Sequence, residues 1–279
     1  MSWWAIDVRT PADRRELLGA WLVARTGQAV EEREDGTLVA FAPDEHAAEV
    51  LVEELGREAD SPVETHSHPI EPEEDWSTRW REGLGARQLG RLTIVPSWLP
   101  EASEPDPLTV VLDPETAFGS GEHGSTRAAL TLLSRVLSPG DRVLDLGSGS
   151  GILAIAAIKL GAAQAIGIEI DPEANEVAER NALRNGVADR VEFLEGDVAV
   201  LAPLAGPADL ILSNILRTVN TTLLPIVVAS LAPGGIAIFS GMEQSEADEF
   251  RGALTGTGFS ILQEILDAGW WGVAAERSA

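Results

Sequence analysis

The 279 residues carry 45 Asp and Glu against 20 Lys and Arg, a formal net charge of −25, with no cysteine and 44% hydrophobic residues. That composition excludes a disulfide framework and a cysteine-based zinc site, opposes any grip on a nucleic-acid backbone, which needs Lys and Arg, and marks a globular chain. The acids are spread along the whole chain, which fits either a surface adapted to high salt or the steering of a basic partner protein. Met1 to Asp7 lacks the basic and apolar regions of a secretion signal. The longest apolar stretch, Ile152 to Ile168, is broken by Lys159, Gly161 and Gln164 and is too short to span a bilayer. A cytoplasmic protein with no membrane partner is expected.

Residues 3 to 8 alternate as a strand, and Pro11 to Arg25 carries Leu17, Leu18, Trp21 and Leu22 at helical spacing. Ala29 to Glu34 and Leu38 to Phe41, split by Asp35-Gly36, predict a hairpin, and Pro43 to Leu55 predicts a second amphipathic helix. Strand, helix, strand, strand, helix is the order of a small ferredoxin-like α+β domain. Asp60 to Asp75, rich in Pro, His, Ser and Glu without periodicity, reads as a linker. His66 and His68 flank Ser67 there with no third ligand at a recognisable spacing, so no metal site is expected. Trp76 and Trp80 then lie at i and i+4 on one helical face.

Strands are expected over Leu92 to Trp98 and Thr109 to Leu112, followed by the glycine-rich loop Asp113 to Thr126 and a helix from Thr126 to Leu137. The apolar strand Val143 to Leu146 ends in Gly147-Ser148-Gly149-Ser150-Gly151 and opens a helix-like run from Ile152 to Leu160. Glycines at every second position let the backbone turn sharply and approach a ligand. Gly149 to Ala154 satisfies G-x-G-x-x-G/A, a weak dinucleotide signal by itself, and a plain tight turn is the third option. Asp145, two residues before the first glycine, repels a pyrophosphate but suits the ammonium group at the methionine end of S-adenosyl-L-methionine.

Beyond the turn, strands (Ala165 to Glu169, Val191 to Leu194, Asp209 to Ser213, Ile236 to Ser240) alternate with helices, and Phe259 to Ile265 and Trp270 to Ala275 close the chain as strands. Such alternation implies a mostly parallel sheet with helices on both faces and a ligand at the strands' carboxyl ends. Four strand ends supply polar groups to that edge: Asp145 with the glycines, Glu169, Asp197 and Asn214. Glu169 stands 18 residues after Gly151, near the distance at which an acid accepts ribose hydroxyls.

Several motifs resemble the bacterial ribosomal protein L11 methyltransferases: Trp76 to Trp80, Val95-Pro96-Ser97-Trp98, Leu112 to His123, Gly147 to Gly161, and Ser213-Asn214-Ile215-Leu216. The resemblance covers about residues 75 to 245. It implies a Rossmann-like class I S-adenosylmethionine-dependent methyltransferase domain over 91–279; element order adds a small N-terminal α+β (ferredoxin-like) domain over 1–60, expected to recognise the substrate because every glycine turn and strand-end polar residue of the site lies after residue 110, and composition adds a linker over 61–90. It also implies methyl transfer to amino groups, α-amino or lysine, of a large-subunit ribosomal protein; a monomer is expected, and the −25 charge predicts no direct nucleic-acid contact. Thr126, Gly147, Glu169 and Asn214 match the family's cofactor-binding positions, and the loop around Phe118 would close over the cofactor. The family usually has Asp at Glu169, Cys at Ser148, and Pro-Thr-Thr at Gly124-Ser125-Thr126.

The expected cofactor is S-adenosyl-L-methionine, held by Phe118, Thr126, Asp145, Gly147, Gly149, Gly151, Glu169, Asp197 and Asn214. Asn214 offers an oxygen that could orient an amine and His123 is a candidate proton acceptor. Ile215-Leu216 differ from the Pro-Pro-aromatic that follows Asn or Asp in enzymes methylating adenine or glutamine amides. A small-molecule methyltransferase and a non-enzymatic, ribosome-associated cofactor-binding factor are the alternatives.

Overall fold

A computed structural model describes residues 3–11, 14–26, 30–33, 36–58, 63–69, 85–103, 105–113 and 118–278. They belong to two compact units, Met1–Gly83 and Leu84–Ala279. The segment holding Trp76 and Trp80, and loop residues 114–117, lie outside the described residues.

In the first unit β1 (Trp4–Arg9), β2 (Glu31–Glu32), β3 (Leu38–Ala42) and β4 (Glu64–Pro69) form an antiparallel sheet in the order β2-β3-β1-β4. Ile6 and Val8 of β1 and Leu38 and Ala40 of β3 make its core with Leu22 of α1 (Arg15–Thr26) and Leu51 and Leu55 of α2 (Glu45–Glu58). This is the split βαβ of a ferredoxin-like unit. Two elements correct the expectation of a linker over 61–90. Glu64–Pro69, within the stretch that composition assigns to a linker, is β4, paired with β1 from Trp4↔Pro69 to Arg9↔Glu64. Glu-Thr-His-Ser-His-Pro has no apolar residue to mark a buried face, because an edge strand with one neighbour supplies hydrogen bonds more than core. Residues 61–90 also contain β5 (Arg87–Leu89), which opens the second unit's small sheet β5-β6-β7 with β6 (Leu92–Pro96) and β7 (Thr109–Leu112).

The second unit is built on a seven-stranded sheet, β10-β9-β8-β11-β12-β14-β13. Its strands are β8 (Arg142–Leu146), β9 (Gln164–Glu169), β10 (Val191–Glu195), β11 (Ala208–Asn214), β12 (Leu231–Glu243), β13 (Phe259–Asp267) and β14 (Trp270–Arg277). The first five strands in that order are parallel; β14 and β13 are antiparallel additions at one edge. Chain order runs outward from β8 in one direction and resumes at β11 in the other, so the topological switch lies between β8 and β11, the Rossmann-like plan.

Alternation along the strands sorts the core into two layers. Val143, Leu210, Leu212 and Ile238 pack with α3 (Gly124–Val136), α4 (Ile152–Leu160) and Ala182 of α5 (Pro172–Arg184). Their neighbours Leu144, Leu146, Ile211 and Phe239 face the other way, against α6 (Val198–Ala205), α7 (Arg217–Ser230) and α8 (Ala247–Gly256). The sequence does not announce α6. Val-Ala-Val-Leu-Ala-Pro-Leu-Ala has no polar face, and Pro203 sits inside it, so no helical periodicity shows. No described helix is long and apolar enough to cross a membrane.

The free edge of β7 is closed by side chains. Asn185 accepts from the Val111 N–H at 2.8 Å and donates to the Val111 carbonyl at 2.6 Å; Asn181, one turn earlier on α5, does the same for Asp113 at 3.0 and 3.1 Å. Two amides one turn apart thus imitate an added strand and fix where the loop after β7 begins. Asn185→Ala leaves both Val111 backbone groups buried without partners, so chemical denaturation should show a loss of about 2 kcal/mol. A loss below about 0.5 kcal/mol would mean that solvent replaces the amide.

Candidate functional site

A cavity of about 620 Å³ opens at the carboxyl ends of β8, β9 and β11, where the strand order switches. Its floor is the turn after β8. Gly149 has φ +51°, and a Cβ there would stand 2.6 Å from the Phe118 carbonyl oxygen, so only glycine admits the loop this close. Ser150 completes the closure: its N–H donates to the Phe118 carbonyl at 3.0 Å and its hydroxyl to the Gly119 carbonyl at 2.8 Å. Phe118 and Gly119 are thereby seated at the cavity wall.

Of the residues singled out in the sequence, Phe118, His123, Gly147, Gly149, Glu169, Asp197 and Asn214 line the cavity; Thr126, Asp145 and Gly151 do not. Thr126 is wholly buried, and its Oγ1 accepts from the Asn214 Nδ2 at 3.2 Å, which leaves the buried Asn214 Oδ1 without a partner. Gly151 caps α4 and gives room to Phe193, whose Cζ would lie 2.8 Å from a Cβ there. Asp145 is 1% exposed, behind the turn, with Oδ2 accepting from the Ala154 N–H at 3.1 Å. Burial, with a smaller push from Glu169 and against the Ala154 hydrogen bond, raises its pKa to about 7.

Glu169 accepts from Gly149 N–H at 3.0 Å, Ile170 N–H at 2.8 Å and Asp171 N–H at 3.2 Å. Those bonds use three of a carboxylate's roughly four acceptor sites and leave capacity for about one hydroxyl. Asp197 caps α6 through Oδ1 and the Ala199 N–H at 2.8 Å. Glu169 and Asp197 are the acids among the lining residues, which include no Lys or Arg. Such walls repel a pyrophosphate and accept a cation, so the electrostatic argument first made for Asp145 is carried by the half-buried Glu169 and the exposed Asp197. The buried Ser148 Oγ, also without a partner, and the Asn214 oxygen are polar atoms that a bound molecule could satisfy. Together with the glycine floor, they fit an adenosylmethionine-sized ligand with polar groups at fixed points.

His123 stands before α3 with Nδ1 2.7 Å from the Ser125 Oγ. Burial, then the charge of Arg127, lowers its pKa. Two further features of the site carry no mark in the sequence. Asn220 of α7 is fully buried, accepts from the Ser213 hydroxyl at 2.6 Å and donates to the carbonyls of Ile215 and Ser240 at 2.9 and 3.0 Å. It clamps the turn that carries Asn214. Trp270 reaches the cavity from the start of β14, more than a hundred residues beyond the loop it faces. A polar residue inside a helix and a tryptophan beginning a strand carry no motif, so spatial proximity alone identifies them. Among the described residues no group of His, Cys, Asp and Glu could hold a metal ion.

Residues 12–278 match the family model described as ribosomal protein L11 methyltransferase (PrmA). The chain is 34% identical over 310 aligned positions to the ribosomal protein L11 methyltransferase of Pelotomaculum thermopropionicum, covering 100% of both. It is 41% identical over 198 residues to that of Thermus thermophilus, 71% of this chain and 76% of the relative. The crystal structure of a ribosomal protein L11 methylase from Lactobacillus delbrueckii subsp. bulgaricus aligns with a TM-score of 0.62 at 33% identity, over 70% of this chain and 100% of that one.

Asp145 generates a pH prediction. Its folded pKa of about 7 lies above the value of an unfolded aspartate, so the native state binds this proton more tightly. Its contribution to stability is therefore complete below about pH 4 and is lost as pH rises through 7. Asp145→Asn keeps an acceptor for the Ala154 N–H but cannot ionise. The melting temperature of Asp145→Asn relative to wild type should climb between pH 5 and pH 8; a constant difference would show that Asp145 does not titrate in that window.

Proposed function

This chain belongs to the ribosomal protein L11 methyltransferase family, and from that premise we propose how its cavity serves methyl transfer to that protein. The enzyme is an S-adenosyl-L-methionine-dependent protein methyltransferase, and its substrate is a large-subunit ribosomal protein, L11. Membership sets aside the small-molecule and non-enzymatic alternatives that the sequence left open.

When bound, S-adenosyl-L-methionine supplies an electrophilic methyl group and leaves as S-adenosyl-L-homocysteine. The chain's own task is to bind and orient an amine in neutral form. The observation that carries our reading is Asn214 in the cavity wall, its Nδ2 donating to Thr126 Oγ1 and its Oδ1 left without a protein partner. An amine N–H that donates to this oxygen has its lone pair aimed by a group that cannot rotate away. An α-amino group with a pKa near 8 is partly neutral at pH 7, whereas a lysine near 10.4 must first lose a proton. In the tautomer whose Nδ1–H donates to Ser125 Oγ, we assign the Nε2 of His123 to relay that proton to solvent, since its lowered pKa returns the ring to the neutral form.

For cofactor binding we assign Glu169 to a ribose hydroxyl, Gly147 and Gly149 to close backbone approach, and Asp197 and Phe118 to the walls. Thr126, Asp145 and Gly151 act behind them, holding Asn214, the first turn of α4 and the floor. The first unit recognises the protein substrate: it has its own core, and every cavity-lining residue belongs to the second. We place the enzyme in the cytoplasm as a monomer that contacts no nucleic acid directly, since −25 is unsuited to phosphate contact.

Titration calorimetry should show cofactor binding weakened by about 1 to 3 kcal/mol in Glu169→Ala, the cost of an unmade hydrogen bond to a charged group. Asn214→Ala should lower kcat by about 100-fold, more than it lowers cofactor affinity, because the amine loses its orienting oxygen. Equal losses in both would assign Asn214 to cofactor binding alone. Removal of residues 1–83 should leave cofactor affinity nearly unchanged and reduce transfer to L11 by orders of magnitude, through lost effective concentration. A truncated enzyme with normal transfer would contradict the recognition role.

A further inference from the structure

The aromatic residues of the cavity form a corner, not a stack. The His123 ring lies 4.2 Å from the Trp270 ring at 58°, and the Phe118 ring 5.4 Å from His123 at 67°. All three line the cavity, so inclined π faces turn around part of the volume in which Glu169 and Asp197 are the charged side chains. Aromatic rings and two carboxylates lining one cavity, with no Lys or Arg among the lining residues, make an environment for a cation of low hydration.

Trp270 is held there by construction. Arg127 of α3 donates from Nε and Nη2 to the Asp267 carboxylate at 2.9 and 2.5 Å, and from Nη1 to the Glu122 carbonyl, so one guanidinium joins the turn before Trp270 to the loop before His123. Ala268 at φ +48° and Gly269 at φ +84° complete that tight turn. A Cβ on Gly124 would stand 2.8 Å from Trp270 Cδ1 and 2.6 Å from the Asp267 carbonyl oxygen. Only a residue without a side chain at 124 admits the indole, and 124 is where the sequence departs from the proline usual in the family it resembles.

We infer that Trp270, with His123 and Phe118, is a receptor for a methylated ammonium group on the acceptor, and so makes a partly methylated amine a better ligand than an unmethylated one. The inference rests on the amine-transfer reading of this cavity. A primary ammonium gives three N–H donors to water and pays heavily to leave it; each methyl removes one donor and spreads charge over C–H groups that a ring face can meet. A neutral His123, its pKa lowered by burial and by Arg127, adds a ring without adding a repelling charge.

The test uses the full chain saturated with S-adenosyl-L-homocysteine and compares binding of choline with that of 3,3-dimethylbutan-1-ol, its neutral carbon isostere. Wild type should prefer choline by about tenfold; Trp270→Leu should lose about fivefold of that preference, and Trp270→Phe should keep most of it. Unchanged affinity for adenosylhomocysteine in the variants would show that the cavity is intact. Should Trp270→Leu fail to fold, Trp270→Phe and Gly124→Ala, which displaces the indole, carry the comparison. Equal binding of choline and its isostere to wild type, or a preference that survives both Trp270→Leu and Gly124→Ala, overturns the inference. A loss confined to the preference for adenosylmethionine over adenosylhomocysteine would mean that the indole meets the cofactor's sulfonium, and also overturns it. These readouts need no methyl transfer, so a wild type that failed to methylate L11 would sink the functional reading separately.

Discussion

The cavity depends on one buried serine. Ser150, fully enclosed, donates through its N–H to the Phe118 carbonyl and through its hydroxyl to the Gly119 carbonyl, while its own carbonyl accepts from Asn181 at 3.0 Å. Three polar groups of one residue thus join the glycine turn, the loop and helix α5. Because Asn181 also pairs with Asp113, the far end of the same loop is tied to the same helix. Buried and satisfied, such a network has little freedom to rearrange, since any movement strands a polar group without water.

A second network does for the acceptor side what Ser150 does for the floor. Asn220 holds the Ile215 and Ser240 carbonyls, and the Ser240 hydroxyl donates to the Ser125 carbonyl at 2.9 Å, so α7, β12 and the first turn of α3 share one set of hydrogen bonds. Asn214 and Thr126 meet across that set. Orientation of a small amine tolerates displacements well under an ångström, and the proposed role of Asn214 is in keeping with the wholly buried support on which it stands.

Charge acts at two ranges. Over the whole molecule, −25 produces a field that salt screens within about 10 Å and that favours basic partners over nucleic acid. Inside the cavity the relevant charges are Glu169 and Asp197, each already bound to backbone N–H groups and so fixed in direction. Asp145, the most conspicuous acid in the sequence, is different. Burial works against its ionisation, and it serves the fold of the turn more than the field of the cavity.

The sequence by itself determined the layered α/β plan, because period-two strands alternating with helices can bury both faces of a sheet in few ways. It also determined the switch-point location of the site, through glycines and polar residues at the strand ends. What it missed were elements without a periodic signal: β4, an edge strand of polar residues, and α6, apolar all round and interrupted by Pro203. Within the site it marked Glu169 and Asn214, whose place at strand ends is a local property. Tertiary structure alone decided that Asp145, Thr126 and Gly151 stand behind the wall and that Trp270 forms part of it. Which side of a buried turn an atom faces, and which ring meets which when His123 and Trp270 stand 147 positions apart, depends on packing between distant segments, and no spacing along the chain encodes that.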